Sequence, residues 1–184
     1  MALCGIDEAG RGPIAGPLVM AGAILNAPIE GLNDSKKLTE KKREALFDEI
    51  VAKTTHHIAR FSAEEIDELG ISKCLAAGLR QIMDALDSDD FLFDGNSTFG
   101  VSGLRTMVKA DAEIPEVSAA SILAKVTRDR EMVALAATYP EYGFEGHKGY
   151  GSASHIEAIR KHGYCAIHRR SFRLKALEPT LFDL

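Results

Sequence analysis

The chain reads as an α/β protein, a sheet layer flanked by interleaved helices with a helical C-terminal portion. The order of its segments predicts this: strand-like runs come first, helical periodicities are interleaved, and the last segments are helical. Two early strands are expected, Ala2 to Asp7 and Leu18 to Leu25, separated by a glycine-proline loop. Asn33-Asp34-Ser35-Lys36-Lys37 reads as a loop leading into a helix from about Thr39, with Leu46, Phe47, Ile50 and Val51 on one stripe. His57 to Phe61 is the next strand. Ser62-Ala63-Glu64-Glu65 is a capping box that opens a short helix closed by Gly70. Ile71 to Leu86 follows as a longer helix, turning Leu75, Leu79, Ile82, Met83 and Leu86 to the core. Phe91-Leu92-Phe93 and Arg105 to Lys109 are further strands. Val117 to about Thr138 is helical, and its small residues Ser118 to Ser121 invite close approach of another backbone. A final helix runs from about Ser154 to His162 and stops at Gly163.

A chain of 184 residues buries a substantial core in one compact unit. We divide it into a core, 1–139, and a basic, helical C-terminal portion, 140–184. No apolar run reaches the ~18 residues of a membrane span, and the strand pattern starts without a basic leader. Cys4, Cys74 and Cys165 are scattered and odd in number, which points to a reducing, cytoplasmic setting rather than a disulfide framework. The net charge of -5 is unevenly spread. Acids crowd between Ser62 and Asp94. Lys148, Arg160, Lys161, Arg169, Arg170, Arg173 and Lys175 face only Glu157 between Gly146 and Leu177, and Lys36, Lys37, Lys41, Lys42 and Arg43 form a second basic cluster. Such polarity suits phosphate tracking, though ordinary solvated helix faces would give the same pattern.

The most informative segment is Gly5-Ile6-Asp7-Glu8-Ala9-Gly10-Arg11-Gly12-Pro13. A buried strand ending in two carboxylates needs a cation, because desolvating an uncompensated carboxylate costs several kcal/mol. Strand side chains alternate, so Asp7 and Glu8 are expected to converge only where Gly10 and Gly12 break the pleat. The pattern recurs: Leu92-Phe93 ends in Asp94, and Val108-Lys109-Ala110 in Asp111. Four carboxylates gathered at strand ends would repel one another without metal, and hard oxygen donors select Mg²⁺ or Mn²⁺. Such a site suits two-metal phosphodiester chemistry. Taken alone, Asp94-Gly95 would be an ordinary turn. A dinucleotide loop at Gly10, Gly12 and Gly16 fails on context, since Pro13 and Pro17 flank it and a strand follows. His162, Cys165 and His168 superficially resemble zinc ligands but lack a fourth member.

These segments closely resemble bacterial ribonuclease HII, a type 2 ribonuclease H. The resemblance spans essentially the whole chain. It rests on the Gly5–Pro13 run, Asp34-Ser35-Lys36-Lys37-Leu38, Asp94-Gly95, Lys109-Ala110-Asp111, the stretch 118–130, His147-Lys148-Gly149-Tyr150-Gly151 and His168-Arg169-Arg170-Ser171-Phe172. It implies a ribonuclease H-like mixed β-sheet flanked by helices. It also implies an endonuclease that cuts RNA hybridised to DNA, or a single ribonucleotide in duplex DNA, leaving a 3′-hydroxyl and a 5′-phosphate. By resemblance, Asp7, Glu8, Asp94 and Asp111 are the catalytic, metal-binding carboxylates. Gly10-Arg11-Gly12 would read the ribose 2′-hydroxyl through the backbone, and Tyr150 would pack on the neighbouring deoxyribose. Lys36, Lys125, Arg128, Lys148 and Arg169 are the phosphate-contact candidates. Asp129 is set aside as a ligand because it lies inside a helix. The tail 178–184 suggests docking on a replication sliding clamp, against the alternative that Leu181 and Phe182 fold back onto the body. A monomer that engages no membrane is expected. Two other readings share these features: a ribonuclease H-like DNA nuclease, and a non-catalytic nucleic-acid-binding module.

Overall fold

The computed structural model describes residues 2–32 and 37–179. Its strands are β1 (Leu3–Ala9), β2 (Leu18–Leu25), β3 (Thr54–Phe61), β4 (Asp90–Asp94) and β5 (Leu104–Met107). They form one sheet in the order β3-β2-β1-β4-β5. The β1–β2 and β2–β3 pairs are antiparallel, whereas β1–β4 and β4–β5 are parallel. Among the described residues, six α-helices accompany the sheet: α1 (Glu40–Lys53), α2 (Ala63–Leu69), α3 (Ile71–Ala85), α4 (Pro115–Thr138), α5 (Phe144–His147) and α6 (Ala153–His162).

Both faces of the sheet are covered, which explains why β2 reads as a continuous apolar run rather than an alternating one. On one face Leu18, Met20 and Ile24 pack with Leu75, Leu79 and Ile82 of α3. On the other, Val19, Ala21 and Ala23 meet Ala119, Ala120, Leu123 and Ala124 of α4, with Ile50 of α1. The small residues of α4 serve the close approach expected of them. A Cβ added at Gly5 would lie 2.2 Å from the Val117 backbone nitrogen, so β1 and the first turn of α4 touch main chain to main chain. Pro115 at the start of α4 needs no N–H there. Ser62 and Glu65 form the expected capping box, and Gly70 ends α2 with a φ of 84°.

Several boundaries differ from the sequence reading. β1 does not stop at Asp7. Its ladder with β2 continues through Asp7↔Ala21, Glu8↔Met20 and Ala9↔Val19. β5 ends at Met107, because Lys109 adopts a left-handed backbone (φ 60°) that no strand accommodates. Asp111 therefore sits in a short 3-10 turn, Ala110–Ala112, and not at a strand end. Val51 is exposed instead of joining the buried stripe of α1. The one-turn helix α5 is too short to leave a periodicity in the sequence.

Beyond α4 the chain returns to the loop after β1. Ile14 and Ala15 pack with Met132, Tyr142, Phe144 and Ile159, the Arg169 N–H donates to the Ile14 carbonyl at 2.8 Å, and the Gly16 N–H donates to the Ile167 carbonyl at 2.8 Å. Within this layer lies a buried histidine chain with fixed tautomers. His168 Nδ1 accepts from the Cys165 N–H at 2.9 Å, so its Nε2 carries the proton and donates to His155 Nε2 at 2.9 Å. His155 Nδ1–H then donates to the Tyr150 carbonyl at 2.8 Å. Burial, above all, pushes both imidazoles down to about 4. The unfolded chain takes up these protons near 6.5, so the stabilisation is complete above that pH and is lost progressively as pH falls toward 4. The melting-temperature gap between the protein and His155→Gln should therefore close across that window. A gap that stays constant would mean the pair is not held neutral.

Candidate active site

Ile6 pairs with Phe93 across the parallel β1–β4 ladder, so Asp7 and Asp94 are the next residues on two adjacent strands. The Asp94 carboxylate accepts from the Lys109 and Asp111 N–H groups, each at 3.1 Å, and so folds the 109–111 turn back over the strand ends. Carboxylate oxygens of Asp7, Asp94 and Asp111 thereby come within 4.8 Å of one another. The left-handed Lys109 and the capping Asp94, rather than a third strand end, bring Asp111 to the site. Asp7 is 9% exposed and Asp111 3%. Burial, then the negative charges of Glu8, Asp94 and Asp111, raises Asp7 well above the usual carboxylate range. A largely buried trio of this kind is costly to leave ionised without a counter-charge and is well suited to hard divalent ions.

Glu8 stands beside the trio. The ladder runs unbroken through Asp7 and Glu8, yet the two side chains lie close enough to perturb one another, without the break in the pleat that the glycines suggested. Burial raises Glu8, opposed by the Arg11 guanidinium, which lies 2.7 Å from its Oε1. Its Oε2 is buried with no hydrogen-bond partner, an acceptor left for a cation. Among the described residues, the three aspartates are the one cluster with metal-ligand spacing. His162, Cys165 and His168 do not form another, since His168 is committed to His155 and Cys165.

Beside the acids opens a cleft of about 400 Å³, lined by Glu8, Gly10, Arg11, Gly12, Asp111 and Tyr150 among others. Gly10 has a φ of 94°, and a Cβ there would strike Arg128 Nε at 2.2 Å and the Pro17 carbonyl at 2.5 Å. Gly12 is different: the nearest atom to an added Cβ would be Tyr150 Cε1, 3.9 Å away. The first glycine is demanded by packing, and the second leaves the floor of the cleft bare. Arg11 lies over the Phe99 ring at 5.5 Å. Tyr150, 46% exposed, presents its ring to the cleft from a turn held by Ile14 and Ala15 N–H groups on the Gly149 carbonyl.

Against this geometry the comparisons with known proteins are decisive. The family model described as Ribonuclease HII matches residues 4–175. The chain belongs to the ribonuclease HII family. A relative named Ribonuclease HII from Sulfurovum sp. is 67% identical over 98% of this chain and 96% of its own length. The ribonuclease HII in the PCNA:RNase HII complex from Archaeoglobus fulgidus superposes with a TM-score of 0.83 at 28% identity, covering 100% of both chains. The ribonuclease H2 from Pyrococcus horikoshii gives 0.77 at 31% identity over 94% of each. The chain is a type 2 ribonuclease H with that family's mixed sheet.

The basic residues chosen for phosphate contact divide sharply in this ribonuclease HII. Lys125 lines the cleft, with its ammonium 3.0 Å from Asp129. Asp129 is thereby paired along α4 and does not belong to the trio. The Lys148 ammonium donates to the Glu145 carbonyl at 2.5 Å. Arg128 and Arg169 correct the sequence reading. Each is 1% exposed, and their guanidinium groups are turned inward onto backbone carbonyls. Burial, then the neighbouring Arg128, lowers Arg169 to about 9, which leaves it charged at neutral pH. Lys36 and the tail residues 180–184 lie outside the described residues. The sequence reading missed Arg43 and Ser121, which also line the cleft. Arg43 was visible within the basic cluster 36–43, and Ser121 within the small-residue run of α4. No described helix is long and apolar enough to cross a membrane.

Proposed function

We propose that this ribonuclease HII cuts single ribonucleotides embedded in duplex DNA, as well as RNA–DNA hybrids, on the 5′ side of the ribonucleotide. The products would carry a 3′-hydroxyl and a 5′-phosphate. The observation that carries the reading is the meeting of Asp7, Asp94 and Asp111 within 4.8 Å beside a glycine-floored cleft. With Glu8 Oε2 lacking a partner, the donor set is all oxygen and strongly anionic, which fits Mg²⁺ or Mn²⁺ and not zinc. Two such ions, held by Asp7, Glu8, Asp94 and Asp111, would activate the attacking water and stabilise the leaving oxygen.

The chain's own groups do the rest. Asp94 holds the 109–111 turn in place, so one carboxylate both ligates and positions another ligand. Backbone groups of Gly10, Arg11 and Gly12 meet the ribose 2′-hydroxyl, the group that distinguishes RNA from DNA locally. Tyr150 offers a flat apolar ring to the sugar across an RNA–DNA junction, and Lys125 supplies positive charge along the phosphate track. A duplex with one ribonucleotide, run against its all-DNA twin with and without divalent metal, tests the reading directly. Metal-dependent cleavage of the first alone is expected, whereas cleavage of both would point to a DNA nuclease on this fold. Tyr150→Ala should lower cleavage at single ribonucleotides about tenfold more than on long RNA tracts, roughly the worth of one sugar–ring contact. Equal losses on the two substrates would remove the junction role. The similar Archaeoglobus fulgidus protein was solved in complex with PCNA, and this supports the proposal that the tail 178–184 docks on a sliding clamp. Loss of clamp capture on deleting residues 181–184 is the expected result.

A further inference from the structure

We infer that Arg169 is a positioning residue: from outside the cleft it sets the direction in which the Arg11 and Gly12 peptide N–H groups point, and so the enzyme's preference for a ribose. The inference rests on the proposed reading of the glycine loop.

The Arg169 guanidinium gathers four carbonyls of one loop. Its Nη2 donates to Gly10 at 2.6 Å, its Nη1 to Arg11 at 3.2 Å and Pro13 at 2.9 Å, and its Nε to Gly16 at 2.9 Å. Arg128 takes carbonyls lying between and beyond these, donating to Ala15 at 2.9 Å and Pro17 at 2.8 Å, and it also reaches the Lys148 carbonyl at 2.8 Å. Two buried cations thus lie under one loop, and the distribution of carbonyls between them leaves little freedom for any peptide plane to rotate.

Peptide geometry gives the consequence. No peptide bond here is cis, and in a trans unit the N–H points opposite to the carbonyl that shares its plane. Carbonyls of Gly10 and Arg11 drawn inward to Arg169 therefore turn the N–H groups of Arg11 and Gly12 outward. Gly10, Arg11 and Gly12 line the cleft, whereas Arg169 does not. A glycine-rich segment has little power to hold such an orientation itself, because its own backbone is the most permissive of any. A planar fork with five donors can hold several carbonyls at once, and the point charge of lysine cannot. Oriented N–H groups at an open floor are the donors a sugar hydroxyl oxygen needs, and a 2′-deoxyribose offers them nothing.

The test compares binding of a duplex carrying one ribonucleotide with binding of its all-DNA twin, with Ca²⁺ in place of the ion that supports cleavage. The wild-type protein should prefer the ribonucleotide duplex by about tenfold or more, the worth of one or two hydrogen bonds. In Arg169→Gln that preference should fall to within about twofold of unity, while affinity for the all-DNA duplex is unchanged. Arg169→Lys keeps the charge and most of the stem, and should fall between the two. If Arg169→Gln melts early, the lysine variant decides the matter. In the wild-type protein, the Arg11 and Gly12 amide resonances should shift with the ribonucleotide duplex and stay put with its deoxy twin. Retained preference in both variants, unmoved amides, or an equal loss of affinity for both duplexes overturns the inference, the last by returning Arg169 to a phosphate-binding or merely structural role. A wild-type protein with no preference would instead sink the reading of the loop, and this inference with it.

Discussion

Asp7→Asn is expected to cut metal-dependent cleavage by roughly 10³-fold and, in the same protein, to raise the melting temperature measured in EDTA. The two effects share one origin. Asp7 is buried among Glu8, Asp94 and Asp111, and its folded-state proton affinity is raised well above that of a free aspartate. A carboxyl raised in this way favours the folded state in acid, and that contribution is lost as pH rises through the raised value. At neutral pH without metal, the buried carboxyl therefore works against the fold. Asparagine keeps an oxygen for the Glu8 N–H, which Asp7 Oδ1 binds at 2.8 Å, and removes the repulsion. A gain of about 1 kcal/mol would appear as about 2–4 °C in a chain of this size, fading as the pH is lowered. Melting that drops sharply at neutral pH would mean the carboxylate holds the fold together, contrary to a ligand role.

Gly5→Ala should be among the most damaging single methyl groups in the chain. The added carbon would lie 2.2 Å from the Val117 nitrogen and 2.6 Å from the Glu116 carbonyl oxygen. Both obstacles are backbone at the first turn of α4, so no side chain can swing aside. Strand and helix would have to separate, at about 3 kcal/mol or more, lowering the melting temperature by roughly 6–12 °C. Asp7 lies two residues along the same strand, so the metal site should loosen with it, and weaker Mn²⁺ binding in the folded fraction is the second readout. Unchanged melting would mean that β1 and α4 are not in backbone contact.

The strands, the long helices and the acids of the site were legible in the sequence because each leaves a local signature: an apolar run, a 3.6-residue period, a charge where a buried run ends. The convergence had a different cause from the one the sequence suggested. A left-handed Lys109 and hydrogen bonds from a turn to Asp94 bring Asp111 to Asp7, and neither has a one-dimensional pattern. Arg128 and Arg169 were misread for a related reason. An arginine read along the sequence looks like a surface cation, and only the path of the loop around it reveals that backbone carbonyls take up its donors. The His147, His155 and His168 layer was unreadable too, since its members are linked by tertiary contacts across α5, α6 and the segment beyond.

The position of β1 in the middle of the sheet bears on how the enzyme is made. Its antiparallel partner β2 follows at once, but its parallel neighbour β4 is translated only after α1, β3, α2 and α3. A nascent chain can therefore assemble a three-stranded meander early, while the other flank of its central strand stays open until much later. Asp94 and Asp111 arrive with that late half. An unfinished polypeptide on the ribosome thus carries no assembled carboxylate centre until its second half has emerged.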